Sequence, residues 1–311
     1  MPRLLLAADG SSHALKAVKY VGFMFKDRNI DIRVIHVLPP IPPILREHRP
    51  SDKDFTEWQT NYKDKWVKMY QERAEGILEE VRQTLLQLDI KEDRIEMEVY
   101  PGRTTVAKDL CFYARGGAFD ALILGRRGIS KIKELIVGST CERVIHAEEM
   151  IPVCIVIGDI NSKKVLIPVD GSAQAEKAVK HASLILTGIP DISITLLHIL
   201  TEPYLPHWEE SHIKFWERLV EEKKTDINPF LDRAKEVLLS SGIPKEAIKI
   251  SLKEKAGAVS VTGEILTEQE EGGYGTIIMG RRGLSGLTEF VGSISKKVLT
   301  QVNNCSLWLV E

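Results

Sequence analysis

Gly125-Arg126-Arg127-Gly128 lies between an apolar run and a Gly138-Ser139 pair, and Gly280-Arg281-Arg282-Gly283 stands the same way before Gly292-Ser293. Residues of these types suit one kind of chemistry. Glycines let a backbone approach a bulky ligand and take positive φ where needed. A Gly-Ser pair opening a helix offers free N–H groups, a helix dipole and a hydroxyl to an anion, and arginines screen a polyphosphate. Upstream of each motif an apolar run ends in Asp-Gly-Ser, at Asp9-Gly10-Ser11 and Asp170-Gly171-Ser172. Those carboxylates can accept hydrogen bonds from ribose hydroxyls or an adenine amino group. A lone Gly-x-x-Gly is more often a plain loop, and Asp-Gly-Ser after a strand is a common turn and helix cap. Occurring together, in one order and twice, the three features describe a nucleotide site.

The elements that must position these residues also repeat. Lys16-Ala17-Val18-Lys19 follows the first Asp-Gly-Ser and Lys177-Ala178-Val179-Lys180 the second, so the chain is an internal duplication. The offset is 161 residues there and 155 at the arginine motif, and the Pro-rich stretch 39–50 accounts for the difference. In the first half, apolar runs predict strands over 3–8, 30–38, 95–100, 121–124 and 153–157. Helices are expected from Ser11 or Ser12 to about Phe25, over 55–88, from about Thr104, and over 139–147. The second half predicts strands over 165–169, 192–199, 248–253, 276–279 and 306–310, with helices starting near Ser172, His207, Val259 and Gly292. Short, continuous apolar strands separated by helices imply an α/β fold with a parallel sheet covered on both faces. The polar link 159–163 divides the chain into expected domains 1–160 and 161–311. In such sheets ligands gather at the carboxyl ends of the strands, where Asp9 and Gly125 would face one cleft.

Composition narrows the classes. With 311 residues, two domains can each bury a core without disulfides or metal. A formal charge of −2 gives no global attraction to nucleic acid or an anionic membrane. Cys111, Cys141, Cys154 and Cys305 have no close pairing, which suits a reducing compartment. The apolar start, Leu4 to Ala8, is too short for a secretory signal, so the expected location is cytoplasmic. There is no Walker A pattern, no Gly-x-Gly-x-x-Gly after a strand, and no Gly-x-Ser-x-Gly elbow. His207 and His212 are poorly spaced for one helical face, which disfavours a metal. His36 and His198 sit near the end of the second strand of each half and read as packed histidines rather than catalytic ones. Trp58, Trp66, Trp208 and Trp216 either pack the long helices on their neighbours or mark an assembly surface.

Gly125-x2-Gly128-x9-Gly138-Ser139, after a strand-one Asp, resembles the ATP-binding signature of the universal stress protein family, and the resemblance covers both halves. It implies two tandem domains, each a five-stranded parallel sheet with helices on both faces, Rossmann-like and of the adenine nucleotide alpha hydrolase-like kind. It also implies last strands that meet across a two-fold interface, formed within a tandem chain or in a homodimer. Carried over, Asp9 matches the nucleoside contact and Val37 the backbone position that meets adenine. Gly125, Arg126, Arg127, Gly128, Gly138, Ser139 and Thr140 match the phosphate-side loop. The second-half matches are Asp170, Ile199, Gly280, Arg281, Arg282, Gly283, Gly292, Ser293 and Ile294. The implied ligand is ATP, ADP or AMP, with or without Mg2+, in a stress-response or signalling protein whose other partners include neither nucleic acid nor membrane. Slow ATP hydrolysis, self-phosphorylation at Ser139, and a nucleotide-free dimerising scaffold stay open as alternatives. The second copy departs from the pattern: eight residues, not nine, separate Gly283 from Gly292, and Ile294 replaces Thr140. One residue fewer is expected to shift the helix start, leaving a tight first site and a weak or regulatory second.

Overall fold

The structure, a computed structural model, describes residues 1–46, 53–126, 138–147, 151–201, 210–255, 260–281 and 292–311. The chain forms two compact units, Met1–Ile151 and Pro152–Glu311.

In the first unit β1 (Arg3–Ala7), α1 (Ser12–Phe25), β2 (Asp31–Val37), α2 (Lys53–Gln87), β3 (Ile95–Tyr100), α3 (Val106–Gly116), β4 (Ala121–Gly125) and α4 (Ser139–Ile145) follow in order. The strands are parallel, in the order β3-β2-β1-β4. From β1 the chain winds one way to β2 and β3, then doubles back beyond β1 to β4. Right-handed crossovers therefore put α1 and α2 on one face and α3 on the other. The winding reverses between β1 and β4, and this opens the crevice. Leu4, Leu5 and Leu6 are all 0% exposed, as a strand covered on both faces requires. Helix α1 forms because Ala14, Ala17, Val18, Val21, Met24 and Phe25 recur at helical spacing and are buried.

The second unit holds β5 (Val153–Ile157), β6 (Lys164–Pro168), α5 (Ala173–Leu186), β7 (Ser193–Thr201), α6 (Glu210–Ser240), β8 (Ile248–Lys255), α7 (Val261–Gly272), β9 (Thr276–Gly280), α8 (Ser293–Gln301) and β10 (Cys305–Val310). The five strands β10-β9-β6-β7-β8 run parallel and reproduce the same winding. Strand β5 joins them antiparallel, with Leu309 opposite Val153 and Cys305 opposite Ile157. Every residue of β10 is buried, including Trp308. The architecture is thus α/β, Rossmann-like, with mostly parallel sheets.

Expected and observed elements agree closely along the chain. The helix starts expected near His207 and Val259 fall outside the described residues, as does Trp208; described helix begins at Glu210 and Val261. Along α2, Trp58 stacks on Phe55 and Tyr62 at 5.7 and 4.7 Å, and Trp66 on Tyr70 at 4.4 Å. Trp58 stays 40% exposed, so these rings line their own helix. All four cysteines are buried free thiols. No helix among the described residues is long and apolar enough to cross a membrane.

Candidate nucleotide crevices

Each crevice begins where strand one ends. Main-chain pairing runs one residue past the strand, from Ala8 N to Ile35 O in the first unit and from Val169 N to Leu197 O in the second. The next residue is the acid. Asp9 Oδ1 accepts from Ser11 N at 2.9 Å, and Asp170 Oδ1 from Ser172 N at 3.0 Å. The turn needs glycine, since Gly10 and Gly171 have φ of 75° and 78°. Ser11 and Ser172 then cap their helices, accepting from Ala14 N and Ala175 N at 3.1 Å each, and such caps are worth about 1 kcal/mol. The Asp-Gly-Ser triplet is therefore a turn and cap, and it fixes each carboxylate through one oxygen while the other is left for a further donor.

A histidine from strand two braces the same point. His36 Nδ1 lies 2.7 Å from Ala8 O, and His198 Nδ1 lies 2.8 Å from Val169 O. The carbonyl accepts, so Nδ1 carries the proton. Burial lowers the His36 pKa, while the bond to Ala8 and the charge of Asp9 oppose this and Arg73 adds to it. The packed reading of these histidines gains a specific content: they anchor the residue before the acid.

The fourth strand and the following helix form the other wall. Gly138 N donates to Arg126 O at 2.9 Å, and Gly292 N to Arg281 O at 2.7 Å. Cys141 Sγ donates to Gly125 O and Ser295 Oγ to Gly280 O, both at 2.9 Å. Burial and the nearby Asp9 charge push the Cys141 pKa up to about 12, against the pull of Arg126, so it stays a thiol. The two helix starts thus have one geometry, with Gly138 at φ −64°, ψ 145° and Gly292 at φ −64°, ψ 153°, and no side chain caps either. This corrects the expected shift of the second start. The necks of both loops match, and the difference of one residue falls within 127–137 and 282–291, outside the described residues.

Around the second crevice the structure gathers most of the expected residues. Asp170, Ile199, Gly280, Gly292, Ser293 and Ile294 line one cavity of about 160 Å3, together with Val261, Ile265 and Met279. Its walls are apolar at the side of β7 and α7 and carry N–H groups at the start of α8. In the first crevice Asp9, Gly125, Arg126 and Cys141 meet, and Val37 ends β2. Ser139 is exposed and Thr140 partly so. Gly125 has a packing reason of its own: a Cβ there would lie 2.3 Å from His13 O on α1. Arg281 departs from the phosphate-screening expectation. It is 3% exposed and its Nη1 donates to Glu311 Oε2 at 2.8 Å. Arg127, Gly128, Arg282 and Gly283 lie outside the described residues, as does His207, and the side chains of His212 and Trp216 are likewise not described. Among the described residues no group of three or more His, Cys, Asp or Glu is placed to hold a metal ion.

Sequence reasoning missed the histidine braces and the Cys141 and Ser295 anchors. Their signal was present in their equivalent positions in the two halves, but each partner is a main-chain atom remote in sequence.

The sequence profile of the universal stress protein family matches residues 1–156 and again 161–311. Universal stress protein YxiE of Bacillus subtilis (strain 168) is 28% identical over 153 residues, 47% of this chain and 97% of that protein. The crystal structure of a universal stress protein from Archaeoglobus fulgidus DSM 4304 matches with a TM-score of 0.65 at 22% identity, covering 99% of this chain and 98% of that one. A protein of Pseudomonas aeruginosa PAO1 described as functionally unknown, PA1789, matches with a TM-score of 0.58 at 11% identity, over 100% and 92% of the chains. With two matched copies spanning nearly its whole length, the chain belongs to the universal stress protein family.

Proposed function

We propose that each half of the chain, 1–160 and 161–311, binds one adenine nucleotide at the carboxyl end of its sheet, and that occupancy adjusts the pairing of the halves or a partner contact in a stress or signalling role. One observation carries this reading: two stretches of different sequence keep the same turn, histidine brace, loop neck and uncapped helix start, in the second half around a cavity of about 160 Å3. Structural economy alone explains the turn and cap. It does not explain two helix starts left open beside a carboxylate with an oxygen to spare.

The residues fit the ligand. The remaining oxygens of Asp9 and Asp170 would take ribose hydroxyls. Ile199, Val261 and Ile265 give the base an apolar seat in the second half, and Val37 holds the matching place in the first. The first amides of α4 and α8 would take phosphate oxygens, aided by the helix dipole. The nucleotide supplies a multiply charged group whose binding can favour one conformation over another. Mg2+, where it accompanies the nucleotide, would ride on the phosphates.

The test is acid extraction of natively purified protein with chromatography of the released bases, followed by calorimetry with ATP, ADP and AMP. Up to two adenylates per chain are expected. Absence of any carried nucleotide together with no heat from all three overturns the proposal.

A further inference from the structure

The first unit carries a second cleft that shares no residue with the nucleotide crevice. It lies between α3 and α4, measures about 1000 Å3, and has Ala107 and Cys111 among its lining residues. Its chemistry is one-sided. Lys108, Phe112 and Arg115 stand at i, i+4 and i+7 on one face of α3, Arg143 comes from α4, His146 follows its last residue, and Arg103 also lines the cleft. Phe112 is 63% exposed in the middle of these cations. A single exposed aromatic is ordinary, but one set in a cationic cleft of a chain with formal charge −2 is a combination of two recognition elements.

The acidic residue in the described lining is already engaged. Asp109 Oδ2 accepts from Arg103 N and Thr104 N at 2.9 and 3.1 Å, and Oδ1 accepts from Thr104 Oγ1 at 2.9 Å. Thr105 caps α3 by accepting from Lys108 N at 3.4 Å. The amides of Arg103, Thr104 and Lys108 are therefore taken by the protein itself. The long cationic side chains of Arg103, Lys108 and Arg143 are spread along a groove between two helices.

The duplication supplies a control. At the matching positions of α7 and α8 the second half has Gly263 for Lys108, Thr267 for Phe112, Glu270 for Arg115 and Thr300 for His146, while Lys297 keeps a cation in the place of Arg143. The helix cap persists there, as Ser260 accepts from Gly263 N at 3.0 Å. The fold accordingly does not need a cation at the places of Lys108 and Arg115, nor the aromatic ring.

We propose that this cleft docks an acidic segment of a partner protein, its carboxylates spread over Arg103, Lys108 and Arg143 and one apolar side chain set against Phe112. Charge complementarity of this kind sets partner choice and on-rate, and an aromatic anchor sets residence. Charges spread along a groove favour an extended acidic peptide over a compact phosphate, and one exposed ring, with Tyr100 buried beside Arg103, in place of a stacking row favours it over a nucleic acid.

The test uses the full chain against an array of randomised peptides of about twelve residues, the length of a short docked helix or strand. Parallel arrays carry wild type, Lys108→Glu/Arg143→Glu and Phe112→Ser. All three positions are non-core in the structure, and matching thermal melts establish that each variant is folded. Retained peptides are expected to be rich in Asp and Glu with one large apolar residue. The best of these, resynthesised, should bind the double variant at least about tenfold more weakly and lose affinity in high salt. The proposal is overturned if no peptide is retained, if retained peptides are not acidic, if the folded variants bind them as well as wild type does, or if a single-stranded oligonucleotide displaces them and depends on the same residues.

Discussion

The two crevices reach the same geometry with different atoms. A thiol in the first and a hydroxyl in the second hold the carbonyl of the strand-four glycine at the same distance. The necks of the following loops also match although those loops differ by one residue. Charge does not follow geometry. The first turn of α4 contains Glu142, while the matching residue of α8 is Lys296. What duplication has kept is main-chain anchoring, which any small donor can satisfy; side-chain charge has been free to diverge. Besides the length of the loop, the charge at the helix start is a difference to compare.

The largest expected effect tests the anchoring. Gly125→Ala would place a Cβ 2.3 Å from His13 O and 2.4 Å from His13 C, both backbone atoms that can yield only if α1 moves. A loss of about 3 kcal/mol is expected, the upper end for overpacking. Gly171→Ala is the comparison. Its Cβ would meet only Ile227 Cδ1, at 3.2 Å, and its φ of 78° adds strain of about 1–2 kcal/mol. Denaturant titration of both variants reads the difference. If Gly125→Ala is the milder of the two, the seating of α1 on β4 is not what the glycine serves.

A second contrast lies beneath the crevices. His181 of α5 is buried against Trp308, ring centroids 5.4 Å apart, and its Nε2 is buried without a hydrogen-bond partner. Its counterpart in α1 is Tyr20, which does not titrate in acid. Burial lowers the His181 pKa from 6.5 to about 4. The unfolded chain therefore takes up the proton first, so stability is full above pH 6.5 and falls as the pH drops from there toward 4. By about pH 5 the loss should be about 2 kcal/mol, from roughly 1.4 kcal/mol per pH unit. The lowered pKa of His36, between Asp9 and Arg73, adds a smaller effect of the same sign. His181→Phe should flatten the dependence, and urea unfolding from pH 8 to 5 measures it. Parallel curves for wild type and variant would show that the histidine is not the acid-sensitive group.

The carboxylates come next in size. Asn can still accept from Ser11 N or Ser172 N, so Asp9→Asn and Asp170→Asn keep the turns and change only the charge offered to a ligand. Each should weaken its own crevice by about 10–100-fold, the worth of a charge-assisted hydrogen bond of about 1.5–3 kcal/mol. Calorimetry with ATP on the two single variants separates the crevices. Equal loss at both sites from one substitution would mean that the sites are coupled rather than independent.

Much of this was legible before any coordinates. Strands such as Leu4-Leu5-Leu6 announce themselves because burial on both faces demands unbroken apolar runs. Asp-Gly-Ser and Gly-Ser announce helix starts because caps and positive-φ turns are local chemistry. Neighbouring residues interact there whatever the rest of the chain does. The details that failed are all non-local. Arg281 looked like a phosphate screen until Glu311, thirty positions on, claimed its guanidinium. At Gly125 the sequence did not show a packing constraint beside any ligand role, namely that a Cβ there would meet the backbone of α1. The braces from His36 and His198 link strands through carbonyls, and a carbonyl carries no sequence signature. The shift expected from one missing loop residue failed for the same reason, because two hydrogen bonds at the neck decide where the helix begins.

The smallest predicted effect bears most directly on the comparison. Negative charge in the first turn of a helix favours the helix but competes with an anion for the same dipole, and positive charge does the reverse. Glu142→Lys should therefore tighten nucleotide binding in the first crevice, and Lys296→Glu should loosen it in the second. Each change is about 0.3–1 kcal/mol, or roughly two- to five-fold in affinity, and should shrink as salt is raised. Both side chains are exposed, so folding should be nearly indifferent to either substitution. Affinities for ATP and for AMP at low and high salt give the decisive pattern. The exchange should move ATP more than AMP, because the added phosphates extend the charge that faces the helix start. A pair of variants that shifts ATP and AMP alike would put the phosphates elsewhere, and the likeness of the two helix starts would then concern packing alone.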